Sequence, residues 1–239
     1  MTQASSIFEA SVYADVNNFN HCILGKRPEV LKDVYLENIN IVIWQRKLSN
    51  LIAESSECII KTNPDLQISQ IVSPQDAYPT MNELLGYSKM SAILSNDIAE
   101  LVDMFCLLFG LNQAGIRLTV LNSAMCPKFH VDRVPCRLIT TYHGIATEWL
   151  PHGLANRTKL GHGSQGKPDH ESGLINSLDD IQQLRQGEVA LLKGETWDGT
   201  QGAGLIHRSP MLTGENNRLL LTIDFINNKI LNSNVVTHL

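Results

Sequence analysis

Apolar residues along the chain fall into two regimes. In the first half the spacing is mostly helical. From about Met90 to Phe109, residues Leu94, Ile98, Leu101, Val102, Phe105, Leu108 and Phe109 recur at i, i+3, i+4 and i+7. Gly110 follows where a C-cap belongs, so the pattern predicts a helix packed on a sheet. A shorter helical spacing runs from Gln45 to Lys61 through Leu48, Leu51, Ile52 and Ile59. The β-like run Asn40–Trp44 precedes it and Asn63-Pro64-Asp65 ends it. After Gly115 the pattern predicts strands: Arg117–Leu121, Val134–Tyr142, Thr147–Leu150, Glu188–Lys193, Gly204–His207 and Arg218–Phe225. Turns containing Gly, Pro, Asn or Asp separate several of them. Leu219 to Phe225 is apolar on both faces apart from Thr222 and Asp224, as expected of a strand covered on its outer side, here by the Met90–Phe109 helix.

The expected organisation is therefore α+β: a mainly helical region, 1–114, packing on a β core, 115–239, of sandwich or barrel type. One segment stands apart. Residues 152–173 (HGLANRTKLGHGSQGKPDHESG) are polar and rich in Gly and His, which predicts a lid-like insertion in the core.

Composition narrows the function. The chain has 239 residues, 43% of them hydrophobic, with a formal net charge of -5 and no long Lys or Arg run. A nucleic-acid backbone partner is not favoured, because that binding needs a clustered cationic surface. Five cysteines without a CxxC pair read as reduced thiols rather than a disulfide framework. The stretch MTQASSIFEASVYADVNN has no basic start and apolar core of a secretory signal, and Ile98–Leu111 is too short and too charged to span a bilayer. A cytoplasmic protein without a membrane partner is expected.

The chemistry-bearing motif is Phe129-His130-Val131-Asp132. On a strand, residues i and i+2 point to the same face, so His130 and Asp132 can reach one point. A lone HxD is expected roughly 0.4 times by chance in a chain of this composition. What lifts it is the order that follows: a long insertion, then His207 at the end of a short strand, then Arg218 opening the last long strand. Two imidazoles and a carboxylate bind one face of an octahedral ion and leave adjacent positions open. Cys126 and Cys136 flank the motif, and with His130 they offer an alternative Cys/His zinc site. His143, His152, His162 and His170 offer a second metal site as an alternative, with a flexible solvated loop the simpler reading.

With these residues in place, the region from Arg117 to Phe225 resembles the Fe(II)/2-oxoglutarate-dependent oxygenase superfamily. The stretch CPKFHVDRVPCRLITTYHGIATEWLP further resembles an uncharacterised bacterial family, domain of unknown function 1826. The superfamily resemblance implies a double-stranded β-helix (a jelly-roll, cupin-like core) from about Gly115 to Asn228. It implies iron(II) held by His130, Asp132 and His207, with 2-oxoglutarate as cosubstrate, dioxygen as oxidant and an unidentified substrate. Arg218 sits where the superfamily places the cation for the far carboxylate of 2-oxoglutarate, with Arg208 as the competing cation. Tyr142 and Thr140, sharing a strand face, and Asn122, one strand earlier, are further candidates for hydrogen bonds to the cosubstrate. The alternative is a metal-binding jelly roll without oxidation chemistry, a zinc or iron sensor or store.

Overall fold

The computed structural model describes residues 21–212 and 217–226. The expectations for the N-terminal stretch and for the border near Asn228 lie outside those residues. Among the described residues, ten strands and three α-helices follow in chain order: β1 (Cys22–Gly25), β2 (Ile41–Trp44), α1 (Asn50–Thr62), β3 (Gln67–Val72), α2 (Pro74–Leu84), α3 (Lys89–Phe109), β4 (Ala114–Leu121), β5 (Cys136–His143), β6 (Glu148–Leu150), β7 (Gln182–Gln183), β8 (Val189–Lys193), β9 (Ile206–Arg208) and β10 (Arg218–Asp224). Seven strands form one sheet in the order β1-β2-β8-β5-β10-β4-β3, and three form a second in the order β7-β6-β9. The fold is mixed α and β, built around the larger sheet.

Side-chain alternation assigns the two faces of that sheet. On β10, Leu219, Leu221 and Ile223 join Leu138 and Tyr142 of β5 and Ile116 and Leu118 of β4 in a core shared with Leu94, Ile98, Leu101, Val102 and Phe105 of α3. The opposite face buries Ile139 and Leu220 with Trp149 of the small sheet and with Ile41, Ile43, Ala190 and Leu192. β10 is thus covered on both sides, by α3 and by the small sheet, which accounts for its nearly continuous apolar sequence.

The helices start and stop as local chemistry dictates. Ser88 caps α3 by accepting from the Ser91 amide, and Gly110 ends it in the left-handed region at φ 63°. α1 begins only at Asn50, after Ser49 accepts from the Ile52 amide. Residues 45–49, read as helical from their spacing, therefore belong to no helix, and Arg46 reaches Asp97 from there with two hydrogen bonds of 2.8 and 3.0 Å.

The expected border between the two regions is not a structural division. The region before Gly115 contributes β1, β2 and β3 to the large sheet, with β2 pairing β8 and β3 pairing β4. Strands from both sides of the expected 114/115 border lie in one sheet, because β-pairing is satisfied across any sequence distance once the edges are adjacent. Residues 152–173 carry three 3₁₀ turns, at His152–Leu154, Arg157–Lys159 and Gly161–Ser164. They bury Ser164, Asp169 and Ser172. The segment also packs Ala155 and Leu160 against the buried cluster of Phe129, Leu150, Leu174, Ile175 and Ile206.

Candidate metal centre

His130, Asp132 and His207 converge, with one ligand atom from each within 4.8 Å of the others. His207 sits on β9. His130 belongs to no ladder, but exchanges both backbone hydrogen bonds with His207, at 3.0 Å each way. That single antiparallel bridge, not a continuous strand, aligns the two imidazoles, whose ring centroids are 4.6 Å apart. Asp132 Oδ1 lies 3.7 Å from His130 Nε2, and Asp132 Oδ2 lies 3.3 Å from His207 Nε2.

The second nitrogen of each ring fixes its orientation. His130 Nδ1 is 3.0 Å from the Lys128 carbonyl and His207 Nδ1 is 3.2 Å from the Leu205 carbonyl. A carbonyl only accepts, so each Nδ1 carries a proton and each Nε2 is the nitrogen that points toward Asp132. Burial and the neighbouring His207 also lower the His130 pKa, against the Lys128 carbonyl and Asp132, which favours the neutral ring. Burial alone would raise the Asp132 carboxyl. His207, Arg137 and His130 outweigh it and hold the group well below the usual carboxylate range. The potential donor set is thus two imidazole Nε2 atoms and one carboxylate, fitting a divalent cation with open positions to spare.

Arg137 positions that carboxylate. It donates to Asp132 Oδ2 at 2.6 Å while its other nitrogens grip Asp224 at 2.7 and 3.1 Å. Glycine supports the same segment from behind. A Cβ on Gly194 would stand 2.1 Å from the Val134 carbonyl oxygen and 2.6 Å from that of Asp132, so only glycine lets the β8 end pass there. Asp169, from the 152–173 segment, accepts from the Phe129 amide and from Arg208, each at 3.0 Å, and braces the residue before His130.

The triad opens into a cavity of about 310 Å³ whose wall includes Arg218. This guanidinium is 1% exposed and donates to the hydroxyls of Thr147 (2.6 Å), Thr141 (3.2 Å) and Ser209 (3.3 Å). Its Nε has no partner, and among the described residues no carboxylate pairs with it. Burial pulls its pKa down to about 10. Arg208, the competing cation, also lines the cavity but is paired with Glu148 at 2.6 Å and Asp169 at 3.0 Å. Gly144, at φ 84°, lets the start of β10 close on the β5–β6 turn, because a Cβ there would meet the Asn217 carbonyl oxygen at 2.5 Å.

Other candidates lie elsewhere. Tyr142 and Thr140 do share a face of β5, but Tyr142 packs in the core against the helices. It is completely buried, and its hydroxyl donates to Asp97 at 2.6 Å, which together with burial drives its pKa well up. The cavity side of β5 carries Arg137, Ile139 and, against Arg218, Thr141. Asn122 is exposed and lines a neighbouring groove. Cys126 lines the metal cavity, whereas Cys136 is fully buried in the helix-side core, and burial raises its thiol pKa. The alternation of β5 turns Cys136 to the face away from the cavity that Cys126 lines, so the two thiols do not join His130 together. Arg137, Thr141, Thr147 and Asp169 were missed. Arg137 was detectable as a charge recurring at i+2 with Ile139 on a strand otherwise apolar or hydroxyl-bearing, whereas Asp169 had no local signal.

A family model described as "Protein of unknown function (DUF1826)" matches residues 25–224. No curated protein matches. Among solved structures, the dioxygenase for auxin oxidation 1 from Arabidopsis thaliana, a binary complex with 2-oxoglutarate, is 12% identical. It aligns over 87% of this chain and 92% of its own with a TM-score of 0.47. The corresponding dioxygenase from rice is 11% identical over 88% and 84%, with a TM-score of 0.49. A Pseudomonas putida prolyl-4-hydroxylase is 10% identical over 84% and 98%, with a TM-score of 0.43.

Proposed function

The chain belongs to the DUF1826 family, and from that premise we propose that it is an iron(II)- and 2-oxoglutarate-dependent oxygenase with a double-stranded β-helix core. The observation that carries this reading is Arg218, a buried guanidinium without a carboxylate among the described residues, facing the same cavity as two imidazoles and an aspartate. An uncompensated buried cation is costly. It is retained where a ligand supplies the anion, and a dicarboxylate that also chelates the metal meets both demands.

His130, Asp132 and His207 would hold the iron, and the Arg218 guanidinium would donate to the far carboxylate of 2-oxoglutarate. When bound, the iron and its cosubstrate supply the oxidising chemistry, in which dioxygen and 2-oxoglutarate yield succinate, carbon dioxide and an oxidised substrate. The protein's own residues organise it. Thr141, Thr147 and Ser209 hold the guanidinium plane in one orientation before the cosubstrate arrives, which lowers the ordering cost of binding. Arg137 fixes the Asp132 carboxylate, and Lys128 and Leu205 fix the imidazole orientations. Thr140, Tyr142 and Asn122 have no part in this reading. No helix among the described residues is long and apolar enough to cross a membrane.

The test is an anaerobic titration of the Fe(II)-loaded protein with 2-oxoglutarate, followed by the metal-to-cosubstrate charge-transfer band. His207→Ala should lose metal affinity, because a two-point site competes poorly with solvent. Metal binding without any 2-oxoglutarate band in the wild type would refute the oxygenase and leave a metal sensor or store.

A further inference from the structure

The metal cavity has two ends. Its floor on β10 is made by the alternate residues Arg218, Leu220 and Thr222. Four residues of strand put Arg218 and Thr222 about 13 Å apart. A five-carbon diacid spans only four C–C bonds of about 1.5 Å each. A cosubstrate anchored at Arg218 therefore leaves the Thr222 end open for a second molecule.

That end has chemistry of its own. Thr222 lies opposite Arg117 of β4 on one side and Ile139 of β5 on the other, and all three line the cavity. The Thr222 residue is 9% exposed and its hydroxyl is buried without a hydrogen-bond partner. A buried hydroxyl so placed is a cost to the fold that a ligand relieves. Arg117 is half exposed and gives one N–H to Asp224 at 2.7 Å. Asp224 also accepts two N–H groups from Arg137, so one carboxylate serves two guanidiniums. Arg137's other partner is Asp132, which the metal claims in the reading above. This end is therefore short of negative charge. Arg117, Thr119 and Met125 also line an adjoining groove of about 510 Å³ along β3 and β4. The two spaces meet at these three residues.

We propose that the Thr222 end is the substrate subsite and that it takes a carboxylate, bound by the Arg117 guanidinium and the Thr222 hydroxyl. Ile139 and Leu220 form the apolar wall for the adjoining aliphatic carbons, and the rest of the substrate leaves along the groove past Asn122. This rests on the oxygenase reading for its geometry, because it places the cosubstrate at Arg218.

The probes are short aliphatic carboxylic acids and their primary amides, titrated against Fe(II)- and 2-oxoglutarate-loaded protein without oxygen. Thermal shift and perturbation of the charge-transfer band report binding. Acids should bind about tenfold or more tighter than their amides, the loss expected when a charged partner is removed from a hydrogen bond. Arg117→Gln should erase that preference and Thr222→Val should weaken the acids, both leaving 2-oxoglutarate affinity unchanged. Thr222→Ser, which keeps the hydroxyl, should bind as the wild type does. Equal binding of acids and amides by the wild type, or a preference that survives Arg117→Gln, would overturn the proposal. Absence of the 2-oxoglutarate band would strike the oxygenase reading instead, and the thermal-shift comparison on the metal-loaded protein would still decide the subsite.

Discussion

Replacing Arg218 with Met should separate ligand binding from stability in an unusual way. The side chain is 1% exposed and its pKa falls from the ordinary 12.5 to about 10 through burial. At 1.36 kcal/mol for each tenfold change, that is a cost of about 3 kcal/mol for keeping the charge in the fold. Met removes the cost and keeps most of the volume, but forfeits hydrogen bonds to Thr141, Thr147 and Ser209, worth about 1 kcal/mol each. The two sums nearly cancel. The metal-free variant should unfold within about 1 kcal/mol of the wild type, where disrupting an ordinary buried polar network costs several. The sign with pH follows. The folded-state pKa is depressed, so the cost is fully present below pH 10 and is relieved as pH rises from about 10 toward 12.5, where the unfolded chain still holds the proton. The wild type should gain on the variant in that window.

Cosubstrate binding should respond far more strongly. Truncating one partner of a buried charge-assisted pair costs about 2–5 kcal/mol, roughly 30-fold to several-thousand-fold in affinity. Urea unfolding of the metal-free proteins and anaerobic 2-oxoglutarate titration of the iron-loaded ones measure the two effects separately. Unchanged 2-oxoglutarate affinity in the Met variant would remove Arg218 from the site. A stability loss above about 3 kcal/mol would mean that an anion already compensates the guanidinium, and the argument from an unpaired charge would fail.

Three further outcomes follow from the geometry. Gly194→Ala puts a methyl against the Asp132 carbonyl and should lower both metal affinity, by about tenfold or more, and stability, by about 1–3 kcal/mol, read by metal titration and calorimetry. Tyr142→Phe removes the bond to Asp97 and should cost about 2 kcal/mol in urea unfolding while leaving metal and 2-oxoglutarate affinities unchanged; a large loss of either affinity would contradict its placement on the helix side. Asp169→Ala frees the Phe129 amide and one Arg208 contact. Hydrogen exchange should then quicken at 128–131 and through 152–173, whereas protection confined to wild-type values would show that the segment does not brace the metal residues.

The sequence by itself determined the elements whose signal is local. The α3 stripe with its Gly110 cap and the strand β10 with apolar residues on both faces were legible because spacing along one element carries them, whereas His130 and Asp132 meet His207 through a single bridge between distant segments. Arg218 was legible as a charge opening a buried strand. Tertiary structure alone decided which face of β5 meets the cavity. Alternation fixes that Thr140 and Tyr142 share a side, but not which side, and a shift of one residue exchanges the whole set for Arg137, Ile139 and Thr141. It also decided that β1, β2 and β3 belong to the main sheet, since strand pairing depends on edges brought together by the rest of the chain. The same is true of Asp169, whose carboxylate reaches the Phe129 amide 40 residues away: the loop pattern identified its residues as polar, but only packing turned them into supports.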